Sequence, residues 1–305
     1  MTSTESSTES STGSSTGSST GSSTGSSSGG VARRGTAAGV PYLALPPASA
    51  PTASTPLVLT WHLMDAPRTP EALAAALPLA GVDAWRVHLE LPMTGARLSA
   101  GGAEELVARG RRDAVLELFG PIAEQGVAES PAVLADVRAQ LGCPDGPLAL
   151  LGGSMGAAVA FLTALEAGLD VAALVLVSPL LRMRPVVEAA ARVMGFGQTW
   201  SPAADAVAAR IDAVERAGEL AAVGRPAVLV VVGADDDEQG FVRPARELHE
   251  ALLAVHGDAR RARLEVVPAM GHALAEEPGL VAAPQTPHAA LVDAAATAWL
   301  REHLR

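Results

Sequence analysis

Residues 147–168 read PLALLGGSMGAAVAFLTALEAG. A short aliphatic run, LALL, meets two glycines and a serine, and a stretch with helical apolar spacing follows. The order is strand, sharp turn, helix. Gly152 and Gly156 flank Ser154 in the pattern G-x-S-x-G. A serine on such a turn projects its hydroxyl above the edge of a sheet. The Met155 N–H lies in the first turn of the helix, where amides lack intrahelical partners and the dipole favours negative charge. Ser154 is therefore the expected nucleophile, and the Met155 amide an expected oxyanion donor.

Further aliphatic runs lie outward from this stretch. Leu57–Trp61, Ala84–Leu89, Ala172–Ser178, Ala227–Val232 and Ala262–Val267 read as strands apolar on both faces. Helical patterns lie between them at Pro70–Ala80, Arg111–Gln125, Ala132–Leu141, Gly156–Ala167 and Phe241–His256, and a terminal helix is expected at Val292–Leu304. Buried strands alternating with helices imply an α/β fold, a doubly wound and mostly parallel sheet covered on both sides. Ligands of such sheets bind at the carboxyl ends of the strands. The segment from about 181 to 225 is longer than one crossover needs and reads as a small helical insertion placed to act as a lid.

A serine hydroxyl needs a base, and the base needs an orienting acid. Two later strands end in suitable residues. Ala227–Val232 runs into Gly233-Ala234-Asp235-Asp236-Asp237, and Ala262–Val267 runs through a proline into Ala269-Met270-Gly271-His272. His272 is the expected base. The acid is expected among Asp235, Asp236 and Asp237, with Asp236 chosen.

These three turns, in this order, resemble the landmarks of the α/β-hydrolase superfamily. The resemblance runs from about Leu57 to Arg305. It implies an acid at the third position after the strand-ending glycine, which is Asp236. The stretch GVDAWRVHLELPMTGAR, residues 81–97, is similar to the corresponding region of dienelactone-hydrolase-like and prolyl-oligopeptidase-like members. The early strand departs from the family's His-Gly ending and continues as Trp61-His62-Leu63-Met64. The second oxyanion donor is then the Leu63 N–H, with Met64 as the alternative. The resemblance implies a serine hydrolase of the carboxylesterase type, cleaving ester, thioester or amide bonds without a cofactor. An acyltransferase or peptidase on the same triad, or a non-catalytic binding protein, are the competing expectations.

Composition narrows the field. Residues 2–30 contain only Ser, Thr, Gly and Glu, so they have no apolar side chains to bury and read as a disordered tail, drawn to residue 36. Residues 31–50 read as a transition, with Pro41, Pro46, Pro47 and Pro51 breaking any regular element. The net charge is −11 and the basic residues, all Arg, are scattered, which disfavours nucleic acid and anionic membrane surfaces as partners. Cys143 is the single cysteine, so a cysteine-based metal cluster and an internal disulfide are excluded. No metal-ligand spacing appears, and no apolar run is long enough for a membrane span. With no secretory signal visible, the expectation is a cytoplasmic enzyme with a small ester-like substrate. The sequence leaves the oligomeric state open.

Overall fold

A computed structural model describes residues 31–194 and 198–304, with the side chains of 192–194 excepted. Among the described residues, eight strands form one sheet: β1 (Arg33–Ala37), β2 (Val40–Leu45), β3 (Leu57–Trp61), β4 (Trp85–Leu89), β5 (Leu148–Gly153), β6 (Val171–Val177), β7 (Ala227–Gly233) and β8 (Ala262–Val267). Their spatial order is β1-β2-β4-β3-β5-β6-β7-β8. The β1–β2 and β2–β4 pairs are antiparallel, and every pair from β4 to β8 is parallel.

The helices are α1 (Pro70–Ala76), α2 (Gly102–Asp113), α3 (Gly120–Leu141), α4 (Met155–Glu166), α5 (Met183–Met194), α6 (Pro202–Ile211), α7 (Ala213–Arg216), α8 (Arg243–His256) and α9 (Pro287–His303). Strand residues divide by parity between two cores, because alternate side chains leave a sheet on opposite faces. Leu57, Leu59 and Trp61 join α3, α4, α6 and α8 on one face. Val58, Leu151, Val175 and Val231 join α1 and α9 on the other, where Trp299 is fully buried. The sheet is thus doubly wound.

Three readings of the sequence need correction. The tail does not extend to residue 36, because Arg33–Thr36 lies in β1. Residues 1–30 are outside the described residues. Nor is the expected transition at 31–50 irregular throughout. β1 and β2 form a hairpin whose two turn residues, Ala38 and Gly39, both have positive φ, a geometry that matches the twist of the paired strands. Pro41 sits at the start of β2, a position that tolerates its missing N–H. Finally, the helices expected at 111–125 and 132–141 are differently divided. α3 runs through Pro131 as one 22-residue helix, since its face of Ile122, Val127, Leu134 and Val137 packs continuously on the core. A π-helical turn, Val115–Phe119, joins it to α2.

The segment 181–225 folds as α5, α6, α7 and a 3-10 stretch, Ala217–Ala222; residues 195–197 within it are outside the described residues.

Candidate active site

β5, β6, β7 and β8 end side by side, with Gly153 paired to Val177 on β6 and Gly233 paired to Val267 on β8. The loops after β5, β7 and β8 carry the site residues expected from the sequence, Ser154, Asp236 and His272. Ser154 follows β5 directly and has φ 49° and ψ −115°. A side chain in this region is strained, and the strain is held by surrounding bonds. The Ser154 N–H donates to the Val177 carbonyl at 2.9 Å, and its own carbonyl accepts from Leu180 at 3.1 Å. Glycine is required two residues on: a Cβ on Gly156 would lie 2.5 Å from the carbonyl oxygens of Trp61 and His62. That contact brings the β3 loop against the start of α4.

The β7 and β8 loops are tied together in the same way. Ala234 donates to Val267 and Asp235 to Met270, both at 2.9 Å. A Cβ on Gly233 would lie 2.1 Å from the Met270 carbonyl, so the loops close only around glycine. The result sets Asp236 beside His272. Asp236 Oδ2 is 2.8 Å from His272 Nδ1, and His272 Nε2 is 2.9 Å from Ser154 Oγ. A carboxylate only accepts, so Nδ1 carries the imidazole proton and Nε2 is left to accept from the serine hydroxyl. Asp236 is almost fully enclosed, with its side chain 3% exposed, and its Oδ1 accepts from the Asp237 N–H. The Phe241 ring lies against His272 with centroids 4.2 Å apart.

The other two aspartates are placed elsewhere. Asp235 is exposed. Asp237 Oδ1 accepts from Gln239 and Gly240 and caps the π-helical turn Glu238–Val242. Asp65 is a neighbour that sequence reasoning missed, its Oδ2 lying 3.6 Å from His272 Nε2. Its only sequence signal was its place just after the β3 loop.

Met155 is at the start of α4, and its N–H has no intrachain hydrogen-bond partner among the described residues. Leu63 does not fit the second donor role expected from the sequence. Its N–H donates to the Pro67 carbonyl at 3.2 Å, and its side chain is fully buried against Gly153. The chain turns inward at Leu63 and reaches the cavity only at Met64, whose N–H has no such partner among the described residues.

His62 explains this path. It is fully buried, its Nδ1 donates to the Leu63 carbonyl at 2.6 Å, and its Nε2 accepts from the Leu91 N–H at 3.2 Å. Burial lowers its pKa to about 4, so the ring is neutral and serves as a two-sided brace.

A cavity of about 590 Å³ opens above Ser154 and His272. Leu106 and Gly110 of α2, Leu118 and Phe119 of the π-helical turn, and Val186, Val187 and Ala190 of α5 form its apolar walls. The aromatic residues considered from sequence divide. Phe241 lines the cavity, Trp61 is in the core, Trp200 stacks beneath Arg184, and Phe196 is outside the described residues. Arg97 is held by both oxygens of Glu129, at 2.7 and 2.6 Å. Cys143 is buried, and burial raises its thiol pKa. Among the described residues, no cluster of His, Cys, Asp and Glu is placed to hold a metal, and no helix is long and apolar enough to cross a membrane.

Comparison with known proteins is consistent with this architecture. A family model described as serine aminopeptidase, S33, matches residues 124–202, from α3 to the start of α6. No curated protein matches the chain. Among solved structures, TT1662 from Thermus thermophilus is 22% identical with a TM-score of 0.63, over 90% of this chain and 98% of that one. Est1E from Butyrivibrio proteoclasticus is 15% identical with a TM-score of 0.55, over 90% and 99%. A puromycin-hydrolyzing peptidase of Mycobacterium tuberculosis is 14% identical with a TM-score of 0.61; the match covers 90% of this chain and 39% of that one. The sheet order and these likenesses make the chain an α/β-hydrolase in fold.

Proposed function

We propose that the protein is a serine hydrolase that cleaves carboxylic esters through an acyl-enzyme on Ser154. The observation that carries this reading is the continuous relay Ser154–His272–Asp236, with bonds of 2.9 and 2.8 Å. Ser154 Oγ attacks the substrate carbonyl carbon as its proton passes to His272 Nε2. The carbonyl electrons move to oxygen, and the resulting oxyanion is held by the N–H groups of Met155 and Met64. Asp236 keeps the imidazole in the correct tautomer and stabilises the imidazolium. When the tetrahedral species collapses, the leaving oxygen departs with the proton from His272. Water then gives its proton to His272 and attacks the acyl-enzyme. Release of the acid returns the proton to Ser154. α5, in the helical insertion, forms one wall of the substrate cavity.

The aminopeptidase name of the matching family model supports a second reading, cleavage of an aminoacyl amide by the same relay. Hydrolysis of p-nitrophenyl esters and of aminoacyl nitroanilides, with labelling by a fluorophosphonate probe, tests both. Labelling at Ser154 with ester turnover supports the first, and nitroanilide turnover without ester turnover supports the second. Folded protein that is not labelled at Ser154 would overturn both.

A further inference from the structure

The geometry points to a substrate class: esters bearing a medium-length apolar chain next to the scissile carboxyl group. This inference rests on the reading of Ser154 as the nucleophile. An acetyl group would leave most of the cavity of about 590 Å³ as water against apolar walls. A chain that fills it removes that apolar surface from water, worth about 0.8 kcal/mol, or roughly fourfold, for each methylene buried.

The charged residues at the rim do not argue for an ionic ligand. Arg68 is held by both oxygens of Glu277, at 2.9 and 2.8 Å. Asp237 is engaged in capping its helical turn. Asp65 and Arg111 are exposed to water. The enclosed part of the cavity is left to aliphatic and aromatic side chains from two separate crossovers.

Gly110 lines the cavity beside Leu118, and an added Cβ would stand 3.3 Å from Leu118 Cδ2. A larger side chain there has no room against Leu118 and would extend into the cavity. Val107, 51% exposed on the same turn of α2, adds an apolar side chain to the cavity lining.

The test measures kcat/KM on p-nitrophenyl acetate, butanoate, octanoate and tetradecanoate, and in parallel on ethyl, butyl and octyl acetates. One series extends the acyl group and the other the alcohol, so the series that responds identifies the side on which the chain lies. Octanoate or octyl acetate should exceed the two-carbon member by about tenfold or more, and tetradecanoate should fall again. Gly110→Leu should lower the ratio of long-chain to short-chain kcat/KM by about tenfold, with a thermal melt confirming folded protein. Val107→Asp, at an exposed position, should lower the same ratio without disturbing packing. Flat profiles in both series, a rise that continues through tetradecanoate, or unchanged ratios in both variants would overturn the inference. If Ser154 is labelled by the fluorophosphonate and the profiles are flat, only this inference fails; absence of labelling removes the reading beneath it.

Discussion

The N–H of Leu91, just past the end of β4, donates to Nε2 of His62, just past the end of β3, at 3.2 Å. The bond holds the β3 loop from outside while Nδ1 of the same ring holds the Leu63 carbonyl. Met64 reaches the cavity because of it. His62→Ala should therefore lower kcat by about tenfold or more with a smaller change in KM, since the Met64 N–H, in the proposed role of oxyanion donor, acts mainly in the transition state. Steady-state kinetics on a p-nitrophenyl ester check this. A pure rise in KM would refute the bracing role.

The three adjacent aspartates are separable by mutation. Asp236→Asn preserves shape but removes the acceptor that sets the imidazole tautomer, and should reduce kcat by about 10⁴. Asp235→Asn should stay within about twofold of the native enzyme, because its side chain is exposed. Asp237→Ala should lower the melting temperature, because its Oδ1 caps a turn, a bond worth about 1 kcal/mol.

Gly156→Ala should abolish soluble expression or destabilise the protein by about 3 kcal/mol or more. The new methyl group meets two backbone oxygens at 2.5 Å, and neither can rotate away. Expression level and chemical denaturation provide the measure. Gly271→Ala is the matched control, since an added Cβ there meets nothing within 4 Å.

Acid should unfold the protein through two histidines outside the triad. His62 and His88 are fully buried, and burial lowers their pKa to about 4 and about 3, from an ordinary value of 6.5. The unfolded chain binds protons at these sites between pH 6.5 and about 4, and the folded chain does not. Stability is therefore intact above pH 6.5 and is lost as pH falls through this window. At pH 5 each histidine should cost about 2 kcal/mol. Denaturation curves of the native protein and of His88→Gln, measured at pH 7 and pH 5, should show a smaller acid penalty in the variant.

Much of the architecture can be read from local pattern. β3 coincides with the aliphatic run at Leu57–Trp61, because a strand buried on both faces has no polar positions to blur its ends; β8 also matches its run at Ala262–Val267, although as an edge strand it leaves Arg263 and Val266 exposed. The β1–β2 hairpin was hidden for the opposite reason. Its prolines and exposed residues look like a linker, and only pairing with β4 gives them a sheet to join.

At the site, the chemistry-bearing residue types and their order along the chain were determined by the sequence, since each of Ser154, Asp236 and His272 follows a strand. What only the tertiary structure decided was atomic placement: Asp236 rather than a neighbour beside His272, the Leu63 amide turned away to Pro67, and α2 joined to α5 as walls of one cavity. The physical reason is that strand and helix periodicity act over a few residues. A loop's direction is instead settled by contacts with segments distant in the chain, such as the 2.1 Å approach that admits only glycine at position 233.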